Sequence, residues 1–507
     1  MRRIAVAIGA ALTLTLAPAF AGAQDTPEKP KKTDRKADQQ DSSKKKDKKD
    51  KDQQPKKTKK QKKAKTDQLS PDEKVDPNTP SVDSTDERAP EDGGKKIFTW
   101  KQHPSLRFGK YLRIDGEAKL QEDARASYPH AKGLEDPITL RTQTYELHRN
   151  RFGIQGFIIN KHIEYEVEHE FTEKELSEKD ILNGVTPSSR WKDVNVNLTF
   201  IKNAQVQIGK FKVPFGLDEL TGVTHNDFIF RSLGANYLAP ARDIGGQVHG
   251  RFFKRGLNYW VGVFQHDGDN ARSKKIQGGD TTVAGRVTGA PLRKMNATAL
   301  RNLEIGSAYT VSKLTDDSFR PNGLRGRTLL TQDTFFEPVY VKGKRYRWEA
   351  DADWTLGPAS ARAEYTVVLD NRFGQGLGGE DLPDSRARSW YVTGTYLLTG
   401  ETKKRPVKPN SDFLQGGVGA LEVAARFERM WFDGLGNGQG YRSPRAEFLL
   451  EEGEYAFTIG VNWTLNRFVK LQINGIRERL ENPTPALPSN FPTAPFWNKV
   501  ARMQFVF

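Results

Sequence analysis

The chain has 507 residues, 28% of them charged and 36% hydrophobic, a net charge of +16 and no cysteine. The lack of cysteine excludes a disulfide framework and thiolate metal sites. Past the first twenty-odd positions, no stretch approaches the ~20 consecutive apolar residues of a spanning helix. Any membrane-integral part must therefore be a closed barrel, the other architecture that satisfies every backbone group in lipid.

Arg2 and Arg3 precede an apolar run from Ile4 to Ala17, followed by Ala21-Gly22-Ala23. That charged, apolar, small-residue order marks residues 1–23 as a secretory signal, cleaved after Ala23 or alternatively Ala21. Residues 24–96 follow as a separate segment. Positions 28–65 hold 18 Lys or Arg against 7 Asp or Glu, and 66–95 is acidic and interrupted by Pro71, Pro77, Pro80 and Pro90. With so few large apolar side chains the segment cannot offset its chain entropy, so it is expected to be disordered. Its lysines would attract polyanions such as a cell-wall polymer, the alternative being a solvated linker. No aromatic rings are interleaved to stack nucleobases, so no specific nucleic-acid partner is expected.

From Leu106 onward, segments of about ten residues alternate apolar and polar positions, the pattern of wall strands. Leu112, Ile114, Ala118 and Leu120 alternate with Arg113, Asp115, Glu117 and Lys119. A second segment, 145–158, carries Arg149 and Arg151, and a third sets Glu164, Glu166, Glu168 and Glu170 on one face. Further strands are expected near 192–201, 204–212, 243–253, 257–266, 282–290, 303–311, 344–356, 359–370, 389–399, 419–430, 454–465, 468–479 and 497–507. The total is about sixteen, an even number as single-chain bacterial barrels have. Tight turns such as Gly357-Pro358 and Asn466-Arg467 alternate with long connections such as 213–242 and 312–343. Residues 400–418 break this asymmetry, being long where a tight turn belongs. Tyr111, Trp260, Trp354, Trp390, Trp463 and Trp497 sit near strand ends, where amphipathic rings favour the membrane interface.

In the last segment Phe507, Phe505, Met503 and Ala501 are apolar, whereas Gln504 and Arg502 are polar. One face suits lipid and the other water. A terminal strand carrying Phe505 and Phe507 resembles the assembly signal of outer-membrane barrels. The expected fold is all-β: a transmembrane antiparallel barrel of about 16 strands over residues 97–507, preceded by the disordered lysine-rich segment.

Several strings resemble the phosphate-selective porin O and P family. They are Gly209-Lys210-Phe211-Lys212-Val213-Pro214-Phe215-Gly216, Arg242-Asp243-Ile244-Gly245-Gly246-Gln247, Trp390-Tyr391-Val392, Leu421-Glu422-Val423-Ala424-Ala425-Arg426 and Gly460-Val461-Asn462-Trp463. They fall in the family's order across residues 106–507. The resemblance implies an outer-membrane channel for small anions such as phosphate or polyphosphate, assembled as a homotrimer; it does not extend to the N-terminal segment, which after signal removal is expected to lie in the periplasm. The alternatives are a general or cation-tolerant porin and a secreted β-rich binding protein.

Such a pore selects by diameter and lining charge, and sixteen strands need an inward loop to narrow them. The long segment 213–242 is the candidate, with Lys212, Arg231 and Arg242 as a cationic constriction suited to oxyanions. Alternatively these residues pair with Asp218, Glu219, Asp227 and Asp243 to hold the loop. Candidate lumen-wall groups are Arg113, Lys119, Arg149, Arg151, Arg426 and Arg502, with the four glutamates arguing against a uniformly cationic lumen. None of the 8 histidines lies in a metal or hydrolase motif, so neither an enzyme nor a cofactor is expected.

Overall fold

The computed structural model describes residues 97–100, 103–128, 143–172, 190–253, 256–269, 281–293, 298–315, 321–482 and 494–507. The chain divides into two units, Met1–Thr66 and Asp67–Phe507. All described residues belong to the second, so Ala21, Ala23 and the lysine-rich segment lie outside them.

A short hairpin, β1 (Phe98–Trp100) and β2 (Pro104–Phe108), precedes the wall. The wall begins with β3 (Leu112–Tyr128), β4 (Gln143–Ile158), β5 (Ile163–Glu170), β6 (Trp191–Leu198), β7 (Gln205–Lys212) and β8 (Arg242–Phe252). It continues with β9 (Leu257–Phe264), β10 (Thr282–Gly289) and β11 (Glu304–Leu314). Two short strands, β12 (Gly326–Arg327) and β13 (Thr334–Phe336), pair only with each other. The wall resumes with β14 (Gly343–Leu356), β15 (Ala359–Arg372), β16 (Leu382–Leu397) and β17 (Ala420–Gly434). It ends with β18 (Glu452–Thr464), β19 (Val469–Glu481) and β20 (Phe496–Val506). Each wall strand pairs antiparallel with its sequence neighbour, and β20 pairs with β3 in the register Val500↔Arg125. Sixteen strands thus close an antiparallel barrel, as the alternation predicts, and closure leaves no wall edge unpaired.

Two features were not expected. β2 takes the edge of β3 at Asp115–Leu112, beyond the point where Phe507 pairs with Ala118. The Trp100 and Phe507 rings lie 5.9 Å apart there. Strands of three and five residues, one starting with proline, are too short to show a period. The second is an apolar cluster inside the barrel. Ile229, Leu233, Leu329 and Phe335 from two long connections pack with the wall residues Val368 and Ile476.

The period-two pattern sets the two faces. In β20, Asn498, Val500, Arg502 and Gln504 are buried inward, and Ala501, Met503 and Phe505 face outward. In β5, Glu166, Glu168 and Glu170 are buried. The outer rows carry exposed Val261, Val263, Val392, Tyr396, Phe427 and Ile473, a surface suited to hydrocarbon. The turn at Gly357 needs φ of +53°, which a side chain would strain.

Candidate functional site: a lumen narrowed by loops

The third long connection, 213–241, turns inward rather than away from the barrel. It contains α1 (Leu217–Leu220) and α2 (Leu233–Tyr237), and most of its residues are buried. Inward-facing wall side chains hold its backbone. The Thr224 carbonyl accepts from Lys470 Nζ at 3.1 Å and from Gln504 Nε2 at 3.2 Å. Ile229 N–H donates to Asn474 Oδ1 at 2.8 Å, and its carbonyl accepts from Arg502 Nη1 at 2.9 Å. Leu233 N–H donates to Glu428 at 2.6 Å, and Asp218 N–H to Glu364 at 3.0 Å. A buried loop needs such partners, because each unpaired backbone group costs about 1–3 kcal/mol.

The overlong turn between β16 and β17 explains itself here. It brings Lys403 and Arg405 into the lumen from the short-turn end. Lys403 Nζ donates to Asp227 at 2.6 Å and also to Glu422. Arg405 reaches Asp227 at 3.0 Å and Asp353 at 3.2 Å. Asp227 is therefore clamped between two cations. Burial alone would raise its pKa, but Arg405 and Lys403 hold it well below the usual carboxylate range.

Each residue proposed from sequence now has a place. Lys212 Nζ donates to the carbonyls of Glu219 at 2.8 Å and of Leu220 and Thr221 at 3.3 Å. Arg231 pairs with Glu219 at 3.0 Å and donates to the Thr221 carbonyl at 2.8 Å. Arg242 grips Asp193, at 2.6 Å for its shortest contact, rather than Asp243. Lys212 and Arg242 thus act as braces of the inward loop and its strands. Arg113 pairs with Asp115 at 2.6 Å. Lys119 meets Glu168 at 2.5 Å, and Arg151 meets Glu168 at 2.9 Å and Glu170 at 2.8 Å. Glu166 accepts from Asn195 at 3.1 Å and Glu164 from Asn197 at 3.2 Å. Arg426 pairs with Glu428 at 2.7 Å, and Arg502 with Asp123 at 2.6 Å. Two of the four glutamates, Glu168 and Glu170, are thus offset by cations, whereas Glu164 and Glu166 are held by neutral amides.

Arg149 differs from the other candidate wall cations in the length of its ion pair, which exceeds all of theirs. Its Nη1 donates to Gln121, but Nε has no hydrogen-bond partner. Glu170 is 4.0 Å away, and Arg151, Arg502 and Arg231 are its other charged neighbours.

Sequence reasoning missed a second network, that of Arg286, Arg345 and Arg347. Arg347 meets Asp267 at 2.5 Å and donates to the Leu238 carbonyl at 2.8 Å. Arg345 meets Asp370 at 2.6 Å and also Asp267. Burial opposes ionisation of Asp267, yet the Arg347 and Arg345 guanidinia keep its pKa well below the usual range. Arg286 faces Glu349 and, at 2.7 Å, Asp351. The one signal of it in the sequence is the polar string Asp267-Gly268-Asp269-Asn270.

An apolar outer face, a charged lumen and inward loops define an outer-membrane channel of the porin class rather than an enzyme or a secreted binding protein. Residues 128–507 match the phosphate-selective porin O and P family, and the chain belongs to that family. It is 22% identical over 358 residues to Porin O of Pseudomonas aeruginosa, covering 64% of this chain and 75% of that one. Among solved structures it is similar to the outer membrane channel DcaP of Acinetobacter baumannii, at 10% identity and a TM-score of 0.48, covering 78% of this chain and 97% of that one. It is likewise similar to OmpT of Vibrio cholerae, at 11% identity and a TM-score of 0.47, covering 81% of this chain and 100% of that one.

Proposed function

We propose that this channel passes small anions, such as phosphate or polyphosphate, by passive diffusion. Arg149 supplies the positive field at the narrowing, since Arg231 and Arg502 are already paired with acids. The observation that carries the reading is Arg149, an incompletely paired guanidinium with three arginine neighbours. A guanidinium offers two parallel N–H donors to an oxyanion, and its field acts in a lumen where loop 213–241 limits the water. Phosphate titrated against chloride current in planar bilayers tests the reading. The wild type is expected to show phosphate block that Arg149→Ala weakens; equal block in both would refute the role of Arg149.

A second reading, a general cation-tolerant porin, is favoured by Glu349, Asp351 and Glu364, which share the single nearby Arg286. We further propose that the protein works as a homotrimer. The N-terminal segment then lies in the periplasm, where its lysines engage cell-wall polymer. Deleting residues 25–95 should abolish co-sedimentation with peptidoglycan; unchanged co-sedimentation would leave a plain linker.

A further inference from the structure

The outward row of β19 reads Val469, Leu471, Ile473, Gly475, Arg477, Arg479 and Glu481 toward the long-loop end. It changes from apolar to doubly basic within one step. Arg477 and Arg479 are exposed, and among the described residues neither has an ion pair, hydrogen bond or ring contact. Their neighbours behave differently. Outward Arg386 and Arg388 share Asp433, at 2.7 and 2.6 Å. Arg429 is held by Glu481 at 2.7 Å and Glu451 at 3.1 Å. The acids of this wall are therefore taken, and two guanidinia are left over.

Their level in the wall is fixed by rings. Arg477 lies opposite Trp497 on one side and Phe457 on the other, and Arg479 lies opposite Tyr455. Aromatic rings of this kind mark the boundary between hydrocarbon and head groups. Lys499, outward on β20 opposite Gly475, adds a third positive charge diagonal to Arg477. Charges facing hydrocarbon are costly, but at the head-group level a basic pair attracts lipid phosphate. Long loops mark the external end of an outer-membrane barrel, so this level belongs to the outer leaflet.

We propose that Arg477 and Arg479 form a binding site for the phosphorylated head group of an outer-leaflet glycolipid. The spacing of two residues puts both side chains on one face, and each guanidinium can take two phosphate oxygens. The occupant is a lipid rather than free phosphate because the site lies on the outer wall, directly above exposed Ile473 at 62%.

Native mass spectrometry of the full chain, titrated with bisphosphorylated lipid A, tests the site. The same lipid after phosphate removal serves as the control. The wild type should retain the phosphorylated form preferentially. An Arg477→Gln/Arg479→Gln variant should bind it roughly thirtyfold more weakly, about fivefold for each charge at the interface. Its channel conductance should be unchanged, which shows that the barrel is intact. Equal retention by the variant, or no preference for the phosphorylated lipid in the wild type, would overturn the site. Competition by inorganic phosphate without lipid preference would also overturn it. So would loss of the oligomer with lipid retention intact, which would make the pair a subunit contact.

Discussion

Two sectors of one lumen leave opposite charges uncompensated. In the sector of β3, β4 and β20, the acids Asp123, Glu168 and Glu170 are each paired, and Arg149 is the remainder. In the sector of β10, β14 and β15, Arg286 serves both Glu349 and Asp351, while among the described residues Glu364 accepts only from the backbone of Asp218. The number of charges along a strand therefore does not set the field a solute meets; the pairing does. Loop 213–241 touches both sectors, through Arg502 and through Glu364.

The largest effect is expected where that loop is clamped. Asp227→Ala leaves Lys403 and Arg405 buried without their shared partner, a change that costs about 3–5 kcal/mol in comparable pairs. It should loosen the loop, raise single-channel conductance and add open-state noise. Traces indistinguishable from wild type would detach the loop from the clamp. Asp267→Asn should come next. It leaves Arg345 and Arg347 under-neutralised, so the folded barrel should melt earlier in a gel-shift assay by about 3 kcal/mol. Ion preference should hardly change.

The selectivity variants are smaller and point in opposite directions. Arg149→Ala should lower the anion-to-cation permeability ratio about fivefold, from ~1 kcal/mol for one charge at contact distance in water. Glu349→Gln should raise that ratio by less, because Arg286 already offsets the carboxylate. Two shifts of the same sign would dissolve the distinction between the sectors. The smallest effect is that of pH. The Asp227 pKa is lowered in the folded chain, so its stabilisation is complete above the ordinary carboxylate range and is lost only as pH falls through the depressed value. Conductance should stay level from neutral down to about pH 5 and rise only in stronger acid.

The wall was legible because alternation is local. Glu164 to Glu170 and Ala501 to Phe507 announce their faces from a few residues each. The pairing was not, because its partners are remote: Arg502 and Asp123 are 379 positions apart. Nothing in the sequence could match one inward cation to one inward acid. The role of Lys403 was half visible, since a turn of that length had no reason to exist at the short end of a barrel. The apolar plug was hidden for another reason. Leu329-Leu330 and Phe335-Phe336 sit inside a segment otherwise read as a polar external loop, and only the fold reveals that they point inward.

The most direct test is the zero-current potential of the purified protein in a planar bilayer under a potassium chloride gradient. An anion-selective potential that shrinks in Arg149→Ala is the predicted result. A cation-selective potential, unaltered in that variant, would place the conducting path along Glu349, Asp351 and Glu364 and contradict the anion reading.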